Sequence, residues 1–182
     1  DGIIAVTQGA GGHAGTYNPF AFLAELRPIV GNKTLILAGA MSNGQAIAGA
    51  IAAGADMVSL GTRFVATKES MAPNGQKEMI ISSSIEDIVF TDEISGICAS
   101  FLKQTIMKFR RPQGGAVQFN VAEEISPKVW KDYWSAGQGV GAVTEILTVR
   151  ALCEQLMAEY QSGVARLVGT QVGARGELVA QQ

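Results

Sequence analysis

A histidine set among glycines has room to act. The loop Gln8-Gly9-Ala10-Gly11-Gly12-His13-Ala14-Gly15-Thr16 holds the only histidine of a 182-residue sequence. An imidazole titrates near neutral pH, so it can take a proton or donate a hydrogen bond to a developing anion. The flanking glycines let the backbone approach a ligand and turn N–H groups toward it. Two more glycine-bearing loops follow. Ala38-Gly39-Ala40 and Gly61-Thr62 each close a short apolar run, about one strand–helix unit apart. In parallel α/β folds the active site lies at the C-terminal ends of the strands, and glycine loops there hold phosphate through backbone N–H groups. Thr62 adds a hydroxyl, and Arg63 adds either a charge or a packing group.

Other residues carry less. Trp130 and Trp134 read as core aromatics, and the six methionines as core filler. Glu86, Asp87, Asp92 and Glu93 lack the spacing of metal ligands and read as a solvated face, so no metal site is expected. Gly9, Gly11 and Ala14 fit a GxGxxA dinucleotide pattern, but the helix such a motif must open starts only at Asn18. Gly137-Gln138-Gly139-Val140-Gly141-Ala142 fits it less well, because polar Lys131-Asp132-Tyr133 precedes it.

The elements that must position these loops are legible. Ile3–Val6, Thr34–Leu37 and Asp56–Leu60 are apolar runs bounded by glycine, as buried parallel strands are. Pro19–Ile29 is a helix by its spacing, opened by Asn18-Pro19. Gln45–Ala53 is another, closed by Gly54. Strand–helix alternation predicts parallel α/β architecture. Met71–Gly75 reads as a loop, Gln76–Ser83 as helical, and Ile85–Thr91 as a helical turn entering a short strand. Ile94–Arg111 is predicted as one helix, with Ile97, Phe101, Leu102, Ile106 and Phe109 on a broad face. Pro112–Gly115 is a turn, and the segment through Pro127 is ambiguous. Val143–Tyr160 is predicted as an amphipathic helix through Ile146, Val149, Leu152, Leu156 and Tyr160.

Composition narrows the function. The sequence is 47% hydrophobic with net charge −2, enough for one core and without the basic block that nucleic acid demands. The most apolar stretch, Ala46–Ala55, is far shorter than the roughly 20 residues of a membrane span. Cys98 and Cys153 form no CxxC pair, which argues against a disulfide framework or zinc site and for a reducing, cytoplasmic setting. The chain is short beside the roughly 250 residues of an eight-stranded barrel. It opens on Asp1, directly in a strand, which reads as a piece of a longer enzyme.

The ordered set of motifs resembles the nitronate monooxygenase family. Gln8 through Gly15 resembles its AGGH loop. Leu37-Ala38-Gly39-Ala40-Met41-Ser42-Asn43-Gly44 resembles its A-G-G-I-x-D-G loop. Gly54-Ala55-Asp56 with Ser59-Leu60-Gly61-Thr62-Arg63-Phe64-Val65-Ala66-Thr67 resembles its G-A-D-x-V-x-x-G-T-R-F-x-A-T signature. Ala136-Gly137-Gln138-Gly139-Val140-Gly141 resembles its A-G-Q-G-V-G segment. The likeness runs over about residues 1–160.

The resemblance implies a TIM (β/α)8 barrel of the FMN-dependent type. This chain would cover its C-terminal part, from about the sixth strand onward, plus C-terminal helices. Residues 1–70 would be the strands and helices around FMN, 71–128 an inserted helical or irregular segment, 129–163 the glycine loop and closing helix, and 164–182 a flexible tail. His13 takes the catalytic role. FMN contacts fall on Gln8, Gly11 and Gly12, on Gly39 and Ala40, and on Ser59, Leu60, Gly61 and Thr62. The implied reaction is FMN-dependent oxidation of a nitronate or nitroalkane by dioxygen, with a homo-oligomer open. Three positions depart from the pattern. The commoner histidine loop is longer, Ala40 replaces a glycine while keeping a backbone donor, and Asn43 replaces an aspartate. Two alternatives stand beside this reading: a flavin-dependent enoyl-acyl-carrier-protein reductase using NADH, and a non-catalytic half-barrel.

Overall fold

The computed structural model of the chain describes residues 1–109, 128–169, 171–172 and 178–179. Its first part alternates strands and helices: β1 (Gly2–Val6), a two-residue β2 (Gly12–His13), α1 (Pro19–Val30), β3 (Thr34–Ala38), α2 (Gly44–Ala52), β4 (Met57–Ser59) and the single turn α3 (Thr62–Val65). β1, β3 and β4 form a parallel sheet in that order, with Val6 beside Ala38 and Ala38 beside Ser59. The predicted strands and helices of this part are therefore present.

Local chemistry accounts for the helix starts. The Asn18 side chain accepts the N–H of Phe20 at 3.0 Å, with Pro19 in the first helical position where its missing N–H is harmless. Asn43 accepts the N–H of Ala46 at 2.8 Å and so caps α2. The aspartate-to-asparagine departure at this position thus keeps the cap. Between sheet and helices lies a core of Ala5, Leu23, Val30, Leu35, Leu37, Ala50 and Ala55.

The second part adds α4 (Asn74–Ile81), a 3-10 turn (Ile85–Asp87), β5 (Ile88–Thr91), β6 (Ala99–Leu102) and α5 (Lys103–Phe109). Ile94–Arg111 is therefore not one helix. All four residues of β6 are buried, which no single helix face can achieve. A strand paired on both edges can, and β6 lies antiparallel between β5 and β2. The turn expected at Pro112–Gly115 and the ambiguous stretch to Pro127 lie outside the described residues.

The closing helix also shifts. Gln138–Ala142 is a 3-10 turn, Val143 is buried in a second cluster with Ala66, Ile80, Leu102, Ala136 and Val140, and Leu147 bridges to Thr67. Only then does α6 (Val149–Gly169) begin. Thr148 marks the start, its hydroxyl accepting the N–H of Ala151 at 3.2 Å. The helix takes in residues 164–169, part of the segment expected to be a flexible tail. A short antiparallel pair, β7 (Gln171–Val172) and β8 (Leu178–Val179), follows.

α6 packs tightly on α2 through small residues. A Cβ on Gly44 would collide with the carbonyl of Leu156 and the N–H of Tyr160, and one on Gly163 would lie 2.9 Å from the Ala48 methyl. The Glu159 carboxylate accepts the Gly44 N–H at 2.7 Å, an anion placed at a helix start where the dipole favours it. Among the described residues no helix is long and apolar enough to cross a membrane.

Candidate active site

The aligned register of β1, β3 and β4 brings three loops out side by side at the C-terminal edge of the sheet. Between them opens a cleft of about 330 Å³, within the roughly 300–1,000 Å³ usual for small-molecule sites. Gly11 and His13 line it from the first loop, Gly39 and Ala40 from the second, and Ser59, Gly61 and Thr62 from the third.

The first two loops interlock. Buried Thr7 donates its N–H and its hydroxyl to the Ala38 carbonyl at 2.9 and 3.0 Å. Gly39, at φ +125, lies so close that a Cβ there would sit 2.8 Å from the Thr7 hydroxyl. The Gly9 carbonyl accepts two N–H groups, from Ala40 at 3.1 Å and from Gln138 at 2.9 Å. The N–H of Ala40 is thus engaged within the chain, so its expected contact with a ligand cannot run through that donor. Ala40 itself adopts φ +58, a conformation that suits glycine.

His13 is held as part of β2, opposite Ala99 of β6, and the next N–H, of Ala14, reaches the Cys98 carbonyl at 3.3 Å. Its ring is exposed toward the cleft and meets Trp130 edge-to-face, with centroids 4.9 Å apart. Trp130 is 47% exposed, so it is not the core aromatic expected. Trp134 does pack against the second cluster.

The third loop adds a hydroxyl with a defined direction. The Thr62 oxygen accepts the N–H of Gly137 at 2.8 Å, leaving its own proton to donate elsewhere. Arg63 resolves to the packing alternative: it is 2% exposed and donates to the Glu145 carbonyl at 3.0 Å. Burial pulls its pKa down, against the pull of Glu145 and Glu159. Among the described residues no lysine or arginine lines the cleft. An anion there would meet hydroxyls and N–H groups rather than a full positive charge.

A fourth wall was not foreseen. Ser135, Gly137 and Gly139 line the cleft from the other side. Gly137 fits only as glycine, since a Cβ would lie 2.5 Å from the Gly9 carbonyl oxygen. The matching motif at Ala136–Gly141 was visible in the sequence, but nothing local pointed it at residues so distant in the chain.

A sequence profile of the family described as nitronate monooxygenase matches residues 1–159. The chain belongs to the nitronate monooxygenase family. Among curated proteins it is 35% identical over 104 residues to the nitronate monooxygenase of Paraburkholderia phytofirmans, covering 53% of this chain and 28% of that protein. It is 31% identical over 108 residues to the probable nitronate monooxygenase of Staphylococcus saprophyticus, covering 53% and 30%. Among solved structures, FabK from Thermotoga maritima superposes with a TM-score of 0.73 at 28% identity, over 93% of this chain and 57% of that one. The nitroalkane oxidase from Streptomyces ansochromogenes gives 0.68 at 27%, over 92% and 53%. The chain thus spans under a third of these curated relatives and a little over half of these structures.

Not every residue of the nitronate monooxygenase motifs reaches the cleft. Gln8, Gly12 and Leu60 are absent from its wall. The Gln8 N–H is bonded to the Tyr17 carbonyl at 3.0 Å, and Gly12 is paired in β2. Asp56, the acid of the family's third motif, lies just before β4, away from the C-terminal edge. It accepts the Leu35 N–H and an Arg27 nitrogen, each at 2.8 Å. Its work is to tie α1 to the start of β3 and β4. Among the described residues no group of histidine, cysteine, aspartate and glutamate could hold a metal ion.

Proposed function

We propose that this chain forms the C-terminal part of an FMN-dependent TIM barrel that oxidises nitronates or nitroalkanes with dioxygen. One observation carries the reading: His13 and the glycine loops at Gly39 and Gly61, separate in the sequence, share one cleft at the C-terminal edge of a parallel sheet.

The residues present fit FMN. Among the described residues, nothing beyond its chain neighbours lies within 4 Å of where a Cβ on Gly61 would be, which leaves that loop open to a ligand. Glycines and alanines along the wall leave space for a flat ring system. Gly61 and Thr62 both line the cleft, and the Thr62 hydroxyl beside the backbone of this loop is a neutral donor suited to phosphate. Bound FMN would supply the redox chemistry, taking electrons from the substrate and passing them to dioxygen. The chain's own contribution is placement and proton handling. His13, exposed on the first loop, would accept the proton of a neutral nitroalkane or donate a hydrogen bond to the nitro oxygens of a nitronate.

The test is His13→Ala. It is expected to lower nitroalkane turnover by about 10²–10⁴-fold, while flavin content, read from visible absorbance, stays near wild type. Equal turnover would remove His13 from the chemistry. NADH consumption with an enoyl thioester, and none of a nitronate, would move the reading to the enoyl reductase. A purified chain unable to take up FMN would favour the non-catalytic half-barrel.

A further inference from the structure

Trp130 is the second of only two non-glycine residues at positive φ among those described, at +69; the other is Ala40 in the cleft wall. A side chain with a Cβ is strained there, and such strain persists only where the surroundings over-determine it. They do. The Asp132 carboxylate accepts the Lys128 N–H at 2.7 Å, and the N–H groups of Lys131 and Asp132 return to the Lys128 carbonyl at 3.1 and 3.0 Å. Downstream, Trp134 is tied to Thr105 at 3.3 Å and to Leu102 at 2.8 Å.

This anchored turn leaves Trp130 47% exposed. It serves a contact. The indole lies 4.9 Å from the His13 ring at 76° and 5.4 Å from the Phe101 ring at 30°. Phe101 is fully buried in β6, the strand that pairs with His13's own β2. Backbone pairing thus holds the His13 main chain, and the Phe101–Trp130 stack stands against its ring. For an otherwise exposed imidazole, a fixed ring plane decides which nitrogen faces the substrate.

We infer that Trp130 is a positioning residue for His13, holding the imidazole in one orientation at the cleft. This rests on the catalytic reading of His13, but its test does not. His13 is the only histidine in the sequence, so histidine labelling of the 182-residue chain gives one set of ring signals. Trp130→Gly and Trp130→Asn both tolerate positive φ and lack the ring. In both, the His13 ring signals should lose the displacement that the indole imposes and narrow to those of a mobile ring, with the backbone amide pattern retained. Trp130→Phe should restore part of the displacement. With nitroalkane, kcat should fall about 10- to 100-fold in the ringless variants, with KM changed far less. His13 signals unchanged in a folded Trp130→Gly or Trp130→Asn overturn the inference. If wild type shows no turnover yet the His13 signals move, the functional reading fails and the positioning role stands.

Discussion

At Ala40 a methyl group occupies a backbone conformation that most side chains avoid, φ +58. The left-handed region costs a residue with a Cβ about 1–2 kcal/mol, offset by about 0.4–1 kcal/mol because alanine is less free than glycine when unfolded. Ala40→Gly should therefore stabilise the chain by about 0.5–1 kcal/mol, read as a raised urea midpoint at constant slope. Asp56 makes a different statement. The Arg27 hydrogen bond, then that of the Leu35 N–H, holds its carboxyl below the ordinary carboxylate range. A depressed pKa means that folding favours the charged form. The contribution is present above the unfolded pKa of about 3.9 and lost as pH falls through the lower folded value. Urea midpoints should drop on acidification below about pH 5, and Asp56→Asn should flatten part of that slope. A slope identical in the two proteins would mean that the Arg27 contact contributes nothing.

Among the elements, α2 separates two kinds of glycine. Gly44 is pressed against α6, whereas a Cβ on Gly49 would meet nothing outside its own helix within 4 Å among the described residues. Gly44→Ala should destabilise by about 3 kcal/mol or more, as overpacking does when backbone must move. Gly49→Ala, in the interior of the same helix, should stabilise by about 0.8–1 kcal/mol. Thermal melts of the pair check both signs. Local order explains what was legible. β1, β3, β4, α1 and α2 follow from short apolar runs, asparagine caps and glycine stops, each readable within a dozen residues. β6 was not, because Phe101 and Leu102 sit at helical spacing from Ile97 and Ile106, and only its pairing with β2 and β5 makes a strand of it. The start of α6 was misplaced for a similar reason: Val143 is apolar because it fills the second cluster, not because a helix has begun. His13, Gly39 and Gly61 could be picked out by type, but Trp130 could not, since nothing in its neighbours announces the ring it meets.

For the molecule as a whole, both edge strands of the β1–β3–β4 sheet carry exposed apolar residues. Ile3, Ile4 and Val6 of β1 are 42%, 59% and 42% exposed, and Met57 of β4 is 57% exposed. Among the described residues β1 pairs with β3 alone. On the proposed reading, this apolar edge is where a further strand of the barrel would pair. The bond from Gly137 to Thr62 bears on time rather than on shape. It joins segments 75 residues apart, while the sheet beneath is built from neighbours in sequence. Contacts between segments distant in the chain carry a larger loop-closure cost than contacts between neighbours. The amide proton of Gly137 should therefore exchange with solvent well before those of β3. The pocket would be a transient property of an already folded sheet, and a ligand spanning both sides would act as its clasp.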